Sequence, residues 1–289
     1  MKVLFLLSII FFSTSSNAVV KRHDVPPENY VIDKTPEYLI DMPHEGHGVL
    51  INSQWIVTVA HTIFYDYVGK ELIIGSKAYE IESVHIHPDY AEPNKDLLKG
   101  DLAPLMSFFK SRSDIALIKL ASTVSGVKPI NIYKGKSEKG KIITVYGKGA
   151  TGSGLSGEDI DTKSLRVIHQ FQNVVETARG NWLAFKFDEP ANALPLEGMH
   201  GSGDSGGASV IFQQGAPFLV GLSSWQLGHG DISTFKGGLY GTTAFQVRVS
   251  NYYDWIVGVL ASYKSLKQDK KQLVFARASL ILTNYFIAS

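Results

Sequence analysis

The chain has 289 residues, 44% of them hydrophobic and 19% charged, which excludes a disordered, collagenous or low-complexity protein and leaves room for one large domain or two moderate ones. Lysine and arginine number 28 against 27 acidic residues, and with Lys2 set aside in a leader the balance is 27 to 27, which gives no electrostatic case for nucleic acid or an anionic membrane as partner. Cysteine is absent, so no disulfide frames the fold and stability must come from the core.

Residues 1–18 read as a removable leader. Met1-Lys2 precedes the apolar run Val3 to Phe12, and the small residues around Ser16-Asn17-Ala18 suit cleavage after Ala18. The run is too short to remain as a spanning anchor. The expected location is therefore outside the cytoplasm, secreted or periplasmic, and an exported chain without cysteine fits a bacterial source. Beyond the leader, 27 glycines and 11 prolines punctuate short apolar segments such as Gly48 to Ala60, Ile115 to Leu120 and Lys141 to Tyr146. That spacing predicts an all-β chain of many strands.

Three stretches carry chemistry. Gly48 to His61 reads as a hairpin with a polar turn at Asn52 to Gln54, ending in a histidine. Asp114 opens the apolar strand Ile115 to Leu120. Gly201-Ser202-Gly203-Asp204-Ser205-Gly206-Gly207 sets a serine among glycines, where its hydroxyl is exposed and a substrate carbonyl can approach the backbone. Ser205 is the candidate nucleophile, and the N–H groups of Gly203 and Ser205 are candidate oxyanion donors. Alone, His61 reads as one of nine ordinary histidines, and of the two readings of Asp114, surface turn residue or buried partner, the surface one wins.

Two other readings fail on order or spacing. Gly203 to Gly207 also satisfies the nucleophile elbow of α/β-hydrolases, but there an acid and then a histidine follow the serine. Here no Asp or Glu lies between Ser205 and His229, the one histidine after it. His44-Glu45-Gly46-His47 is one residue short of a zinc-binding helix motif, and Pro43 and Gly46 oppose a helix. His85 and His87 alternate along a strand, so no metal site is expected.

Together the three stretches resemble the trypsin and chymotrypsin family of serine endopeptidases. Leu50 to His61 matches its Leu-Ile-Asn-x-x-Trp-Val-x-x-Ala-Ala-His motif with Val59 for one alanine, Asp114 to Leu120 its Asp-Ile-Ala-Leu-Ile-Lys-Leu, and Gly203 to Gly207 its Gly-Asp-Ser-Gly-Gly. Weaker landmarks fall between and beyond them: His87-Pro88-Asp89-Tyr90, Tyr146 to Gly149, Ser224-Trp225, and Val247 to Ile256. The resemblance implies two six-stranded antiparallel β-barrels with the site in the crevice between them and a short C-terminal helix. Residues 19–125 would form the first barrel with His61 and Asp114, residues 126–263 the second with Ser205, and residues 264–289 a basic linker and apolar tail of unassigned role, too short in its apolar part to span a membrane.

The implied activity is peptide-bond hydrolysis by a His61–Asp114–Ser205 triad, without metal or organic cofactor. A peptide or protein substrate is the implied partner, a protein inhibitor a further one, and a monomer the implied assembly; a catalytically silent binding homologue is the alternative. By the same resemblance Met199 floors the primary specificity pocket, with His200, Ser224, Trp225, Gln226 and Ala244 around it, which favours an uncharged P1 side chain. Departures from the family are Thr62 after His61, Gly201 where cysteine is common, and the missing Ile-Val-Gly-Gly activation sequence. Cleavage after Ala18 would expose Val19-Val20, 42 positions before His61, as an N-terminus able to pair with Asp204.

Overall fold

In the computed structural model, residues 18–161, 165–263 and 265 are described, so the expected leader, apart from Ala18, and the expected tail, apart from residue 265, fall outside them. A short buried strand, β1 (Val19–Lys21), comes first. There follow β2 (Leu39–Asp41), β3 (His47–Asn52), β4 (Trp55–Thr58), β5 (Glu71–Ile74), β6 (Lys77–Ile86), helix α1 (Leu102–Ser111) and β7 (Ala116–Leu120). Strands β2 to β7 form one six-stranded sheet in the order β2-β3-β4-β7-β6-β5, antiparallel throughout. The β3–β4 turn is set by Asn52, whose side-chain oxygen accepts from the Gln54 N–H at 2.8 Å. Along β5, Leu72 and Ile74 face inward while Glu71 and Ile73 face water, the period-2 alternation of a sheet with one wet side.

Helix α1 is not among the elements expected from the sequence. Its start is nonetheless written locally: the Asp101 side chain accepts from the Ala103 N–H at 3.1 Å, and Leu102, Leu105 and Met106 are buried.

The second half contains β8 (Asn131–Ile132), β9 (Ile142–Gly147), β10 (Thr151–Ser153), β11 (Gly157–Asp159), β12 (His169–Val174), β13 (Thr177–Arg179), β14 (Trp182–Lys186), β15 (Gly198–Met199), β16 (Ala208–Gln213), β17 (Ala216–Gln226), β18 (Thr243–Arg248) and helix α2 over 253–263. The main sheet runs β12-β9-β16-β17-β18-β14-β13, with β8 added parallel to β17, so it carries eight strands where six are expected. A further small sheet has the order β11-β10-β1-β15. Thus β1, grouped with the first barrel by chain order, pairs with strands of the second half.

This is the two-barrel, mostly β architecture of the chymotrypsin fold. A continuous apolar seam joins the halves: Val49, Trp55, Val57 and Leu117 of the first sheet pack in one cluster with Val210, Leu222, Trp225 and Val247 of the second, with Leu105 of α1 alongside. Helix α2 crosses back, with the Tyr263 ring edge-on to Trp55 at 5.6 Å and its hydroxyl bonded to Glu82 of β6. Among the described residues no helix is long and apolar enough to cross a membrane.

Candidate active site

The apolar strand β4 gives way to a single 3₁₀ turn, Ala60–Thr62, which carries His61 out of the sheet toward the second half. Asp114 lies just before β7 and is fully buried; Ser205 lies on the glycine loop between β15 and β16. The structure brings the three together. His61 Nδ1 is 2.7 Å from Asp114 Oδ2, His61 Nε2 is 2.8 Å from Ser205 Oγ, and the His61 backbone N–H donates to Asp114 Oδ1 at 2.9 Å. A nitrogen facing a carboxylate holds the proton, which leaves Nε2 as an acceptor for the serine hydroxyl.

The glycine loop is wired to neighbouring backbone. The His47 N–H donates to the Ser205 carbonyl at 2.7 Å, and the Gly206 N–H to the Ser223 carbonyl at 2.8 Å. Asp204 N–H donates to Gly201 at 3.0 Å and Gly207 N–H to Asp204 at 2.8 Å. Among the described residues, the N–H groups of Gly203 and Ser205 have no internal acceptor. Glycine is obligatory at 206, where φ is +75° and a Cβ would lie 2.0 Å from the His47 carbonyl oxygen.

Residues 37–256 match the protein family Trypsin. The chain belongs to the trypsin family. It is similar to vitamin K-dependent protein C of Rattus norvegicus, at 25% identity over 72% of this chain and 44% of that protein. Similarity extends to the complement C1r-B subcomponent of Mus musculus, 28% identical over 73% of this chain and 30% of the relative, and to a trypsin of Phaedon cochleariae, 26% identical over 87% and 96%. The chain spans less than half the length of the first two relatives. What this region constitutes is a trypsin-like serine protease domain.

In this trypsin-family site Asp114 has more partners than the sequence discloses. Besides His61, its Oδ2 accepts from Ser224 Oγ at 2.6 Å and from Arg112 Nη2 at 3.4 Å. Burial alone would raise its pKa, but the charge and hydrogen bond of His61, the Arg112 charge and the Ser224 hydroxyl outweigh it and hold the carboxyl well below the usual range. The sequence pattern does not disclose the role of Arg112, whose one signal is a basic residue two places before the aspartate.

Asp204 is equally buried but differently served. Its oxygens accept from the N–H groups of Gly149 at 2.6 Å and Gly201 at 2.9 Å, and among the described residues it has no ion pair. Burial pushes its pKa up to about 7. Lys21 is pushed down to about 8 by burial, partly offset by the Asp204 charge, and its amine donates to the Ala18 carbonyl at 3.2 Å and to Thr151 Oγ1 at 3.0 Å. Val19 is fully enclosed, with its strand between β10 and β15 and Val20 opposite Met199. In this uncut chain its nitrogen is an amide bonded to Ala18.

The residues expected around the specificity pocket are near one another but mostly closed off. Met199 and Ala244 are fully buried in one apolar cluster. The Gln226 amide donates to the His200 carbonyl at 2.8 Å and accepts from the Gly238 N–H at 2.7 Å, clipping β17 to the segments beside it. His200 is pushed down to about 3 by burial; its Nδ1 lies 3.1 Å from Gln246 Nε2, whose amide oxygen accepts from Ser209. Trp225 is 6% exposed and stacked on Phe245 at 3.9 Å, and the Ser224 hydroxyl points to Asp114. Near the site, Pro43 to Gly46 forms a bend leading into β3, and burial pushes His47, the first residue of that strand, down to about 4.

Asp204 yields a pH test. A carboxyl with a raised folded-state pKa stabilises the fold most below its ordinary value, and that stability is lost as pH rises through the folded value. The thermal midpoint of the uncut chain should therefore fall, relative to Asp204→Asn, between about pH 4 and 7, with a constant offset above. Parallel curves for the two proteins across that window would contradict the buried, unpaired assignment.

Proposed function

We propose that this trypsin-family chain is an exported serine endopeptidase, with Ser205 as nucleophile, His61 as general base and acid, and Asp114 as the group that orients the imidazole and stabilises its charged form. The observation that carries the reading is the unbroken chain Asp114–His61–Ser205 at hydrogen-bond distances, beside two backbone N–H groups without internal acceptors. The Ser205 hydroxyl attacks the scissile carbonyl as His61 Nε2 takes its proton, and the N–H groups of Gly203 and Ser205 receive the developing oxyanion. The same imidazole then protonates the leaving amine, and water releases the acyl group from Ser205. Residues 19–125 and 126–263 would be the two working units, with β1 serving the second. The alternative is a silent binding homologue, as arises when such folds lose a triad member; His61, Asp114 and Ser205 are all present in this sequence. Labelling by a fluorophosphonate decides between them: wild type should label and Ser205→Ala should not. Asp114→Asn should lower kcat about 10⁴-fold, and Ser205→Ala or His61→Ala about 10⁶-fold, with no further loss on combination.

The primary pocket is assigned to Met199, His200, Ser224, Trp225, Gln226 and Ala244, with an uncharged, apolar P1 side chain of small to medium size. An ionised P1 group would need a free opposite charge, since an unpaired buried ion is costly. The Glu197 carboxylate is already held by the Asp188 and Leu194 N–H groups at 2.7 Å each, and the Asp231 carboxylate caps the turn at Ile232–Thr234. His200, kept neutral by burial, offers no cation to an acidic P1. Cleavage of a peptide library should select apolar P1 residues; strong selection of Arg, Lys, Asp or Glu would overturn the pocket assignment.

Activation is assigned to Val19 and Asp204. Cleavage after Ala18 would turn the enclosed Val19 amide into an ammonium, and a fully buried carboxylate without an ion pair is the partner such a charge requires. Removal of a leader would then suffice, with no separate propeptide. The active enzyme should begin at Val19, and one extra residue before it should cost most of the activity. Full activity of the extended form, or an active enzyme that begins well beyond Val20, would exclude the insertion.

A further inference from the structure

The least expected group at the site is the guanidinium of Arg112. Its side chain is 5% exposed and that of Asp114 is 0% exposed, and the two meet at 3.4 Å on Oδ2, the oxygen that also receives His61 Nδ1. Two rings and the backbone hold it there. The guanidinium carbon lies 4.4 Å from the Phe109 ring centroid on α1 and 5.4 Å from that of Tyr90, and the Arg112 carbonyl accepts from Asn181 Nδ2 at 3.1 Å. Phe109 in turn packs against Trp225 at 5.7 Å.

The carboxylate does not need this cation to be satisfied. His61 supplies two donors and Ser224 a third, all at 2.9 Å or less. A permanent positive charge at Oδ2 competes with the imidazolium for the same carboxylate and repels it as a like charge. It thereby disfavours the protonated, inactive base.

We propose that Arg112 is a positioning residue of the triad: it fixes the Asp114 carboxylate through Oδ2 and, by its charge, opposes protonation of His61, extending hydrolysis to lower pH. The proposal rests on the reading of His61, Asp114 and Ser205 as a working triad. Other charged groups stand elsewhere around the site: the exposed Glu45 carboxylate borders the Gly203 backbone, its Oε1 3.6 Å from where a Cβ would stand. After β6, Asp89 and Glu92 are exposed carboxylates, reaching the site only past His87 and Tyr90; the Tyr252 ring packs on His87 at 5.3 Å. From β17 comes the neutral hydroxyl of Ser224, and from the segment after β15 the His200 imidazole, held uncharged by burial. α1 presents Phe109 to this centre.

The test is the pH dependence of kcat/KM for the processed enzyme on a peptide amide, with active sites counted by fluorophosphonate. Arg112→Gln keeps a donor for Asp114 but removes the charge, and should move the acid-limb midpoint up by at least about half a pH unit. Arg112→Lys retains the charge and should leave the midpoint near wild type. Arg112→Met repeats the measurement with an apolar chain of similar length, so that failure of one neutral variant to fold leaves the other. Neutral variants that lose activity equally at all pH values, with an unmoved midpoint, would reduce Arg112 to a packing role. Wild type without Ser205-dependent labelling would instead sink the triad reading itself, an outcome read before any Arg112 variant is made.

Discussion

A carboxylate removed from water must find its donors inside the protein, and the site is arranged around that demand at Asp114. Its ring of partners comes from separate parts of the chain: the turn after β4 gives His61, the residues before β7 give Arg112, and β17 gives Ser224. Each donor also fixes the element that bears it. Supplying the carboxylate and aligning the imidazole are the same act, because a charge that is fully satisfied in one geometry resists every other.

That geometry survives only if the two sheets cannot slide on each other. The apolar seam from Val57 and Leu117 to Leu222 and Val247, buried in one cluster, provides the resistance. In a chain without cysteine this seam and the return of α2 onto Trp55 take the mechanical part that cross-links play in many exported proteins. Gly46 shows how tight the joint is: a Cβ there would fall 2.7 Å from the Ser205 carbonyl oxygen of the second half.

Much of the fold is legible in the sequence because motif and burial coincide there. The run Trp55 to Thr58 is buried at every position, Ala116 to Leu120 likewise, and both are strands bordering candidate site residues. Helix α1 escapes such reading because its apolar face is short and is completed only by contact with the seam. The extra strands of the second sheet, β8 of two residues among them, are too brief to show a period. At the site, the residue types His61, Asp114 and Ser205 are visible in one dimension through the glycines and the apolar strands beside them. Arg112 is not, because nothing in a one-dimensional pattern separates a buried cation from the many solvated ones. Its meaning depends on Phe109 and Tyr90 closing over it.

The enclosure of the Ala18–Val19 peptide bond limits when the proposed cleavage after Ala18 could occur. Both residues have no accessible surface in the folded chain, and Lys21 holds the Ala18 carbonyl from within. A cutting enzyme needs an extended, reachable segment, so the proposed cleavage after Ala18 would have to come before the domain closes over the bond. Under that proposal cleavage and folding are ordered events: a chain that closed early would bury the Ala18–Val19 bond and would have to reopen locally before it could be cut.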